Sequence, residues 1–150
     1  MNKMKQKYFS HKTRNQYGEF DSKQEYERYL YLLNRKNNKE IYGLRRQVRF
    51  QIIPKLIVSQ IVKLKTKTKI VEKVDEKAAY YTCDFVYYDN ITNYYVMEEL
   101  KSIATKNLDH SYPLRRKLIK KKIELHNKKK NNWIFNEVVY GKSKKRTKDS

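Results

Sequence analysis

The segment Tyr80-Tyr81-Thr82-Cys83-Asp84-Phe85-Val86-Tyr87-Tyr88, then Asp89 to Asn93, then Tyr94-Tyr95-Val96-Met97-Glu98-Glu99-Leu100-Lys101 decides how this sequence is read. Both flanks are rich in aromatic and β-branched residues, which suit a pleated, half-buried surface, and the Asp/Asn-rich middle supplies turn chemistry. The spacing predicts a β-hairpin with its midpoint between Ile91 and Thr92. Asp84 and Glu99 are equidistant from that midpoint, so a turn centred there sets the two acids opposite each other, about 5 Å apart at the backbone. Lys101 lies two residues beyond Glu99 and therefore shares its face.

Working outward, Asp21 to Asn34 carries Tyr26, Tyr29, Leu30, Leu32 and Leu33 at mainly helical spacing behind Asp21 and Ser22 as possible caps, which predicts a first helix. Arg45 to Ile53 alternates, with Val48, Phe50 and Ile52 on one side and Gln47, Arg49 and Gln51 on the other, until Pro54 stops the strand. Lys55 to Lys77 reads as an irregular or edge excursion, strand-like from Leu56 to Leu64, with the Lys/Thr alternation around Lys63 to Lys69 compatible with an exposed hairpin. Pro113 suits the first turn of a second helix, whose apolar face is Leu114, Leu118, Ile119, Ile123 and Leu125, ending near Asn127. Trp133 to Tyr140 reads as the last strand. The expected order is helix, three strands, helix, strand in one α/β domain over residues 17–140. A basic N-terminal arm (1–16) precedes it and a basic, disordered tail (141–150) follows.

Length and composition narrow the function. A chain of 150 residues has room for one core. With 39% hydrophobic and 13% aromatic residues it is too apolar for a disordered polycation. Lys and Arg number 36 against 16 acids, a formal charge of +20, and that field attracts a polyanion. No apolar run approaches the roughly 20 residues needed to span a bilayer, and no signal-peptide stretch opens the chain, so the expected setting is cytoplasmic and the expected partner nucleic acid. Cys83 is the single cysteine, and with the scattered His11, His110 and His126 it makes no zinc spacing. It reads as a small apolar strand residue.

Two carboxylates side by side repel unless something positive joins them, and hard oxygen ligands suit Mg²⁺ or Mn²⁺. The spacing of Glu99 and Lys101 alone is uninformative: acid-x-Lys also occurs at Asp21 and Asp75, about as often as chance predicts in so lysine-rich a chain. Context separates Glu99, which lies in an otherwise apolar strand opposite a second acid. The same residues also read as an ordinary cross-strand salt bridge. A one-residue slip would exchange Glu99 with Glu98, and only Glu99 keeps the Glu-x-Lys spacing.

Phe20-Asp21-Ser22-Lys23-Gln24-Glu25, Arg46-Gln47-Val48-Arg49-Phe50, Tyr81 to Tyr87, Glu99-Leu100-Lys101 and Arg115-Arg116-Lys117-Leu118 together resemble a family of small, mostly phage-encoded, uncharacterised proteins placed in the PD-(D/E)XK nuclease superfamily, of the restriction-endonuclease-like and Holliday-junction-resolvase-like fold. The resemblance covers residues 17–140. It implies an αβββαβ core with a mixed sheet flanked by helices. It also implies Mg²⁺-dependent (or Mn²⁺-dependent) hydrolysis of DNA, with branched or structured DNA in phage replication or recombination as the substrate suggested by analogy, in the host cytoplasm. Under it Asp84 is the first metal-binding acid, Glu99 the second, Lys101 the catalytic lysine and the Leu100 carbonyl a further ligand. Glu25 matches a helical acid added to such sites, although Ser22-Lys23-Gln24-Glu25 is also a capping box. No proline precedes Asp84, a departure shared by looser branches of the superfamily. Lys106, Arg115, Arg116 and Lys117 are candidates for gripping the DNA backbone, the arginines at a helix start whose N–H groups also suit phosphate. Gln47 falls near the site by the same resemblance. A homodimer is compatible with cutting two strands. The competing expectations are a non-catalytic nucleic-acid-binding protein that keeps the fold, and an RNA- or ribosome-associated basic protein.

Overall fold

A computed structural model describes residues 12–104, 109–130 and 132–141. The chain is mixed α/β. Thr13–Asn15 (β1) and Gly18–Phe20 (β2) form a small hairpin, followed by the helix Lys23–Asn37 (α1). Then come Ile41–Ile53 (β3), the pair Leu56–Lys63 (β4) and Thr68–Glu76 (β5), Ala79–Asp89 (β6), Tyr94–Ser102 (β7), the helix Tyr112–Asn127 (α2) and Trp133–Tyr140 (β8). The main sheet runs β3-β6-β7-β8, antiparallel between the first three strands and parallel between β7 and β8. Without the two small hairpins the order is helix, three strands, helix, strand.

Each helix covers one face. Leu32 of α1 packs with Ile41, Phe85, Tyr87 and Val96, while Tyr112, Ile119 and Ile123 of α2 pack with Tyr81, Cys83, Val86 and Met97. Val96 and Met97 are successive strand residues, and their opposite assignments follow from the strand's period of two. Cys83 is buried in the α2-side core, as its apolar reading expects. The second helix departs from its expected stripe. Leu114 and Leu125 are 61% and 52% exposed, and Tyr112 takes the buried place at the helix start. In α1, Leu30 is likewise exposed and Glu25 is buried.

The β6–β7 turn closes where the sequence places it. Asp89 pairs with Tyr94 and Phe85 with Glu98, so the register is symmetric about the Ile91–Thr92 bond. Asp89 stabilises the turn by accepting from the Ile91 and Thr92 backbone N–H groups, and Asn93 turns the chain at φ 61°. β1 and β2 lie where no element was expected. The excursion after Pro54 is more regular than expected, a two-stranded antiparallel ribbon with one register shift between Leu56 and Ile57. No helix among the described residues is long and apolar enough to cross a membrane.

Candidate active site

Beyond Phe85 and Glu98 the ladder between β6 and β7 ends, although both strands continue. β6 stays paired with β3 back to Ala79, and β7 stays paired with β8 out to Ser102. The sheet therefore forks at the level of Asp84 and Glu99. At the same level the side-chain alternation breaks on two neighbouring strands. Cys83 belongs to the α2-side core but Phe85 to the α1-side core. On β3, Val48 packs on the α2 side while the Arg46 guanidinium lies over Phe20, 3.5 Å from its centroid, and also near Tyr29 of α1. Gln47, between them, has φ 50°, a left-handed conformation that costs a non-glycine residue on the order of 1 kcal/mol.

A cleft of about 210 Å³ opens in the fork, lined by Asp21, Ser22, Glu25, Asp84, Glu99, Leu100, Lys101, Ser102 and Tyr140. Asp84 Oδ2 accepts from the Leu100 backbone N–H at 2.8 Å, which ties the parted strand to its neighbour through a side chain. The Gln47 amide donates to Asp84 Oδ1 at 3.2 Å and to Glu25 Oε1 at 3.0 Å, holding two carboxylates from different elements. Glu25 also acts as a cap. Ser22 Oγ accepts from the Glu25 N–H at 3.1 Å, and Glu25 Oε2 reaches back to the Asp21 N–H at 3.2 Å. The capping geometry and a place in the cleft are thus not alternatives: its two oxygens divide between them.

Glu99 Oε2 accepts from the Tyr81 hydroxyl at 2.8 Å, and Glu99 Oε1 lies 3.4 Å from Lys101 Nζ. The Lys101 ammonium sits 4.3 Å from the centroid of the Tyr112 ring. Burial raises the pKa of all three acids. The charge of Asp84 pushes Glu25 and Glu99 up further, Glu99 to about 7. One lysine among the four acids that line the cleft, Asp21 included, leaves it short of positive charge.

Glu98 points the other way. It is fully buried on the α1 side, where Arg28 grips it with two N–H groups and Tyr87 and Asn136 donate to it. Of the two neighbours, Glu99 and not Glu98 lines the cleft.

Arg115, Arg116 and Lys117 lie on α2 outside the cleft lining. Arg116 pairs with Glu137 at 2.7 Å, Arg115 pairs with Asp109 at 3.2 Å, and Lys117 is exposed. Lys106 lies outside the described residues. Gln47, expected near the site, bridges Glu25 and Asp84. Tyr81, Tyr112, Ser102 and Tyr140 are site neighbours that the sequence did not single out. Tyr81 had no usable signal, because regular alternation puts it on the opposite parity from Asp84, and only the break at Asp84 lets both address Glu99.

Among the described residues, no three His, Cys, Asp or Glu side chains are already gathered as a metal-ligating group. The donor chemistry nevertheless suits a hard divalent cation: oxygen donors only, three carboxylates whose ionisation burial disfavours, and open space beside them. The chain matches no protein-family model, no curated protein and no solved structure.

Proposed function

We propose that this protein is a divalent-metal-dependent endonuclease of the PD-(D/E)XK type, hydrolysing phosphodiester bonds in DNA, with Mg²⁺ or Mn²⁺ held by Asp84, Glu99 and the Leu100 carbonyl, and with Glu25 completing the acidic wall. One observation carries the reading. In a chain of charge +20, buried Glu25 and Glu99, half-buried Asp84 and one lysine converge where the sheet forks, and burial raises the pKa of all three acids, Glu99 to about 7. The helix, three strands, helix, strand order and the mixed sheet agree with the restriction-endonuclease-like core that the sequence resemblance implies.

When bound, the cation supplies Lewis acidity toward the scissile phosphate. The chain's residues supply the rest. Lys101 offers a cation beside Glu99 that can orient a water or stabilise charge developing on phosphate oxygen. Tyr81 fixes one Glu99 oxygen, and the Leu100 N–H and Gln47 amide fix both oxygens of Asp84. The +20 charge brings the polyanion to the fork. Branched or structured DNA in phage replication or recombination is the substrate class we favour, by analogy of fold.

The second reading is a non-catalytic nucleic-acid-binding protein, and the observation that favours it is the Lys101–Glu99 contact, which makes a cross-strand pair without any ion. Cleavage of a four-way junction, linear duplex and single strand, with Mg²⁺ or Mn²⁺ and an EDTA control, separates the two. On the endonuclease reading wild type cuts, while Asp84→Ala and Lys101→Ala bind but lose on the order of 10²–10³-fold in rate. Equal binding by all three with no cutting of any substrate by wild type returns the protein to the binding class.

A further inference from the structure

The ribbon β4–β5 stands outside the core. Of its 17 strand residues all but Val62 are exposed. An isolated two-stranded ribbon in water is marginal, so what this one presents to solvent is informative. The register sorts it into two faces. Ile57 opposes Val74 and Ile61 opposes Ile70 on one, whereas Val58 opposes Lys73, Gln60 opposes Val71 and Val62 opposes Lys69 on the other. The apolar cross-strand pairs stiffen the ribbon, each by a few tenths of a kcal/mol to about 1.

Its charge is distributed along its length. Lys63, Lys65, Lys67 and Lys69 crowd the tip with no acid among them, while Glu72, Asp75 and Glu76 lie toward the base. None of the four tip lysines takes part in an ion pair among the described residues. The ribbon leaves the sheet at Ile53 and returns at Ala79, the end at which β6 and β7 part. Ala79 is five residues along β6 from Asp84, about 17 Å at the rise of a strand.

We infer that the β4–β5 ribbon is an arm that grips duplex nucleic acid, its lysine tip contacting backbone phosphates beyond the fork. Its dimensions fit: two strands about 5 Å apart and about 26 Å long, against a major groove about 12 Å wide that admits a two-stranded ribbon. Charge selects this occupant over a second copy of the chain, since two lysine tips repel whereas a tip and a phosphate backbone attract. The inference shares with the proposed function only the class of partner, and hydrolysis plays no part in it.

The test is the salt dependence of duplex binding by the full chain, in EDTA, for wild type and for the quadruple variant Lys63→Gln, Lys65→Gln, Lys67→Gln, Lys69→Gln, with circular dichroism to verify folding. Loss of four phosphate contacts should reduce the slope of log K against log salt by about 3 to 4, at roughly 0.9 per contact. Ile61→Ser with Ile70→Ser, which removes an apolar cross-strand pair and no charge, should leave the slope unchanged. An unchanged slope in the folded quadruple variant overturns the arm. So does a concentration-dependent dimer in sedimentation that the Ile61/Ile70 pair abolishes, which would make the ribbon a self-association surface. Tighter binding to phosphatidylserine vesicles than to duplex at matched salt would overturn it also. Because the assay runs without metal, the arm and the cleft fail separately: a changed slope with no cleavage keeps the arm alone, and cleavage with an unchanged slope keeps the cleft alone.

Discussion

Glu98 and Glu99 are neighbours in β7, both nearly inaccessible to solvent, and the protein treats them in opposite ways. On the α1 side Glu98 is met by the Arg28 guanidinium, the Tyr87 hydroxyl and the Asn136 amide, so its charge is matched and its oxygens are satisfied. On the other side Glu99 has a tyrosine hydroxyl and a lysine at 3.4 Å, and shares its surroundings with Asp84, so burial and repulsion lift it to about 7. A buried carboxylate with complete partners fastens the fold. One left short of positive charge costs stability, the pattern expected of a group with a functional task rather than of a fastening for the fold.

That contrast can be broken most severely at Glu98. Glu98→Gln strands the Arg28 guanidinium, itself about a quarter exposed, without its counter-charge, so the expected loss is about 3 kcal/mol, at the low end for a broken buried pair. Glu99→Gln removes a strained charge instead, and in EDTA should leave stability unchanged or raised. Urea unfolding of the two variants at pH 8 checks the pair, and equal losses would erase the distinction.

A smaller effect sharpens it. Since the folded pKa of Glu99 lies above that of an unfolded carboxylate, the folded state binds the extra proton. Stability in EDTA should therefore rise as pH falls from 8 through about 7, continuing toward 4.5. The part gained between pH 8 and 6 is on the order of 1 kcal/mol by linkage. It should vanish in Glu99→Gln, and Mg²⁺ should raise the melting temperature more at pH 8 than at pH 6. A flat pH profile in EDTA would show that the charge on Glu99 is already compensated.

The smallest expected change concerns the cap. Ser22→Ala removes the acceptor for the Glu25 N–H and should cost roughly 0.5–1 kcal/mol in thermal unfolding. If the cap also positions the cleft wall, Mg²⁺-induced stabilisation should fall together with it.

The hairpin was legible because turn chemistry and register are local: Asp89 to Asn93 names the turn, and counting outward from Ile91 and Thr92 aligns Phe85 with Glu98. The alternation of β3 placed Val48, Phe50 and Ile52 correctly against the α2-side core. The fork was not legible, because it depends on which of two partners each strand follows after Asp84, and no property of Asp84 itself records that. The backbone reversal at Gln47 was hidden for a related reason, since glycine marks such conformations and glutamine does not. Helix α2 misled because the start of the helix is anchored by Tyr112, which lies one residue before the proline and outside the apolar stripe. Glu25 was legible as a capping residue and as a candidate for the cleft, and in the structure one oxygen caps the helix while the other accepts from Gln47.

The fork also dictates an order of assembly. Residues 25, 84 and 99 meet only when α1 has docked against a hairpin more than forty positions further along the chain, and the outer edge of β7 waits for β8, which is reached through the whole of α2. Contacts so distant in sequence close late, after the local turn at Asp89 has formed. On that ordering the repulsion among the cleft acids is met only once the turn and the neighbouring pairings stand, so it bears on the stability of the finished fold more than on the nucleation of the hairpin.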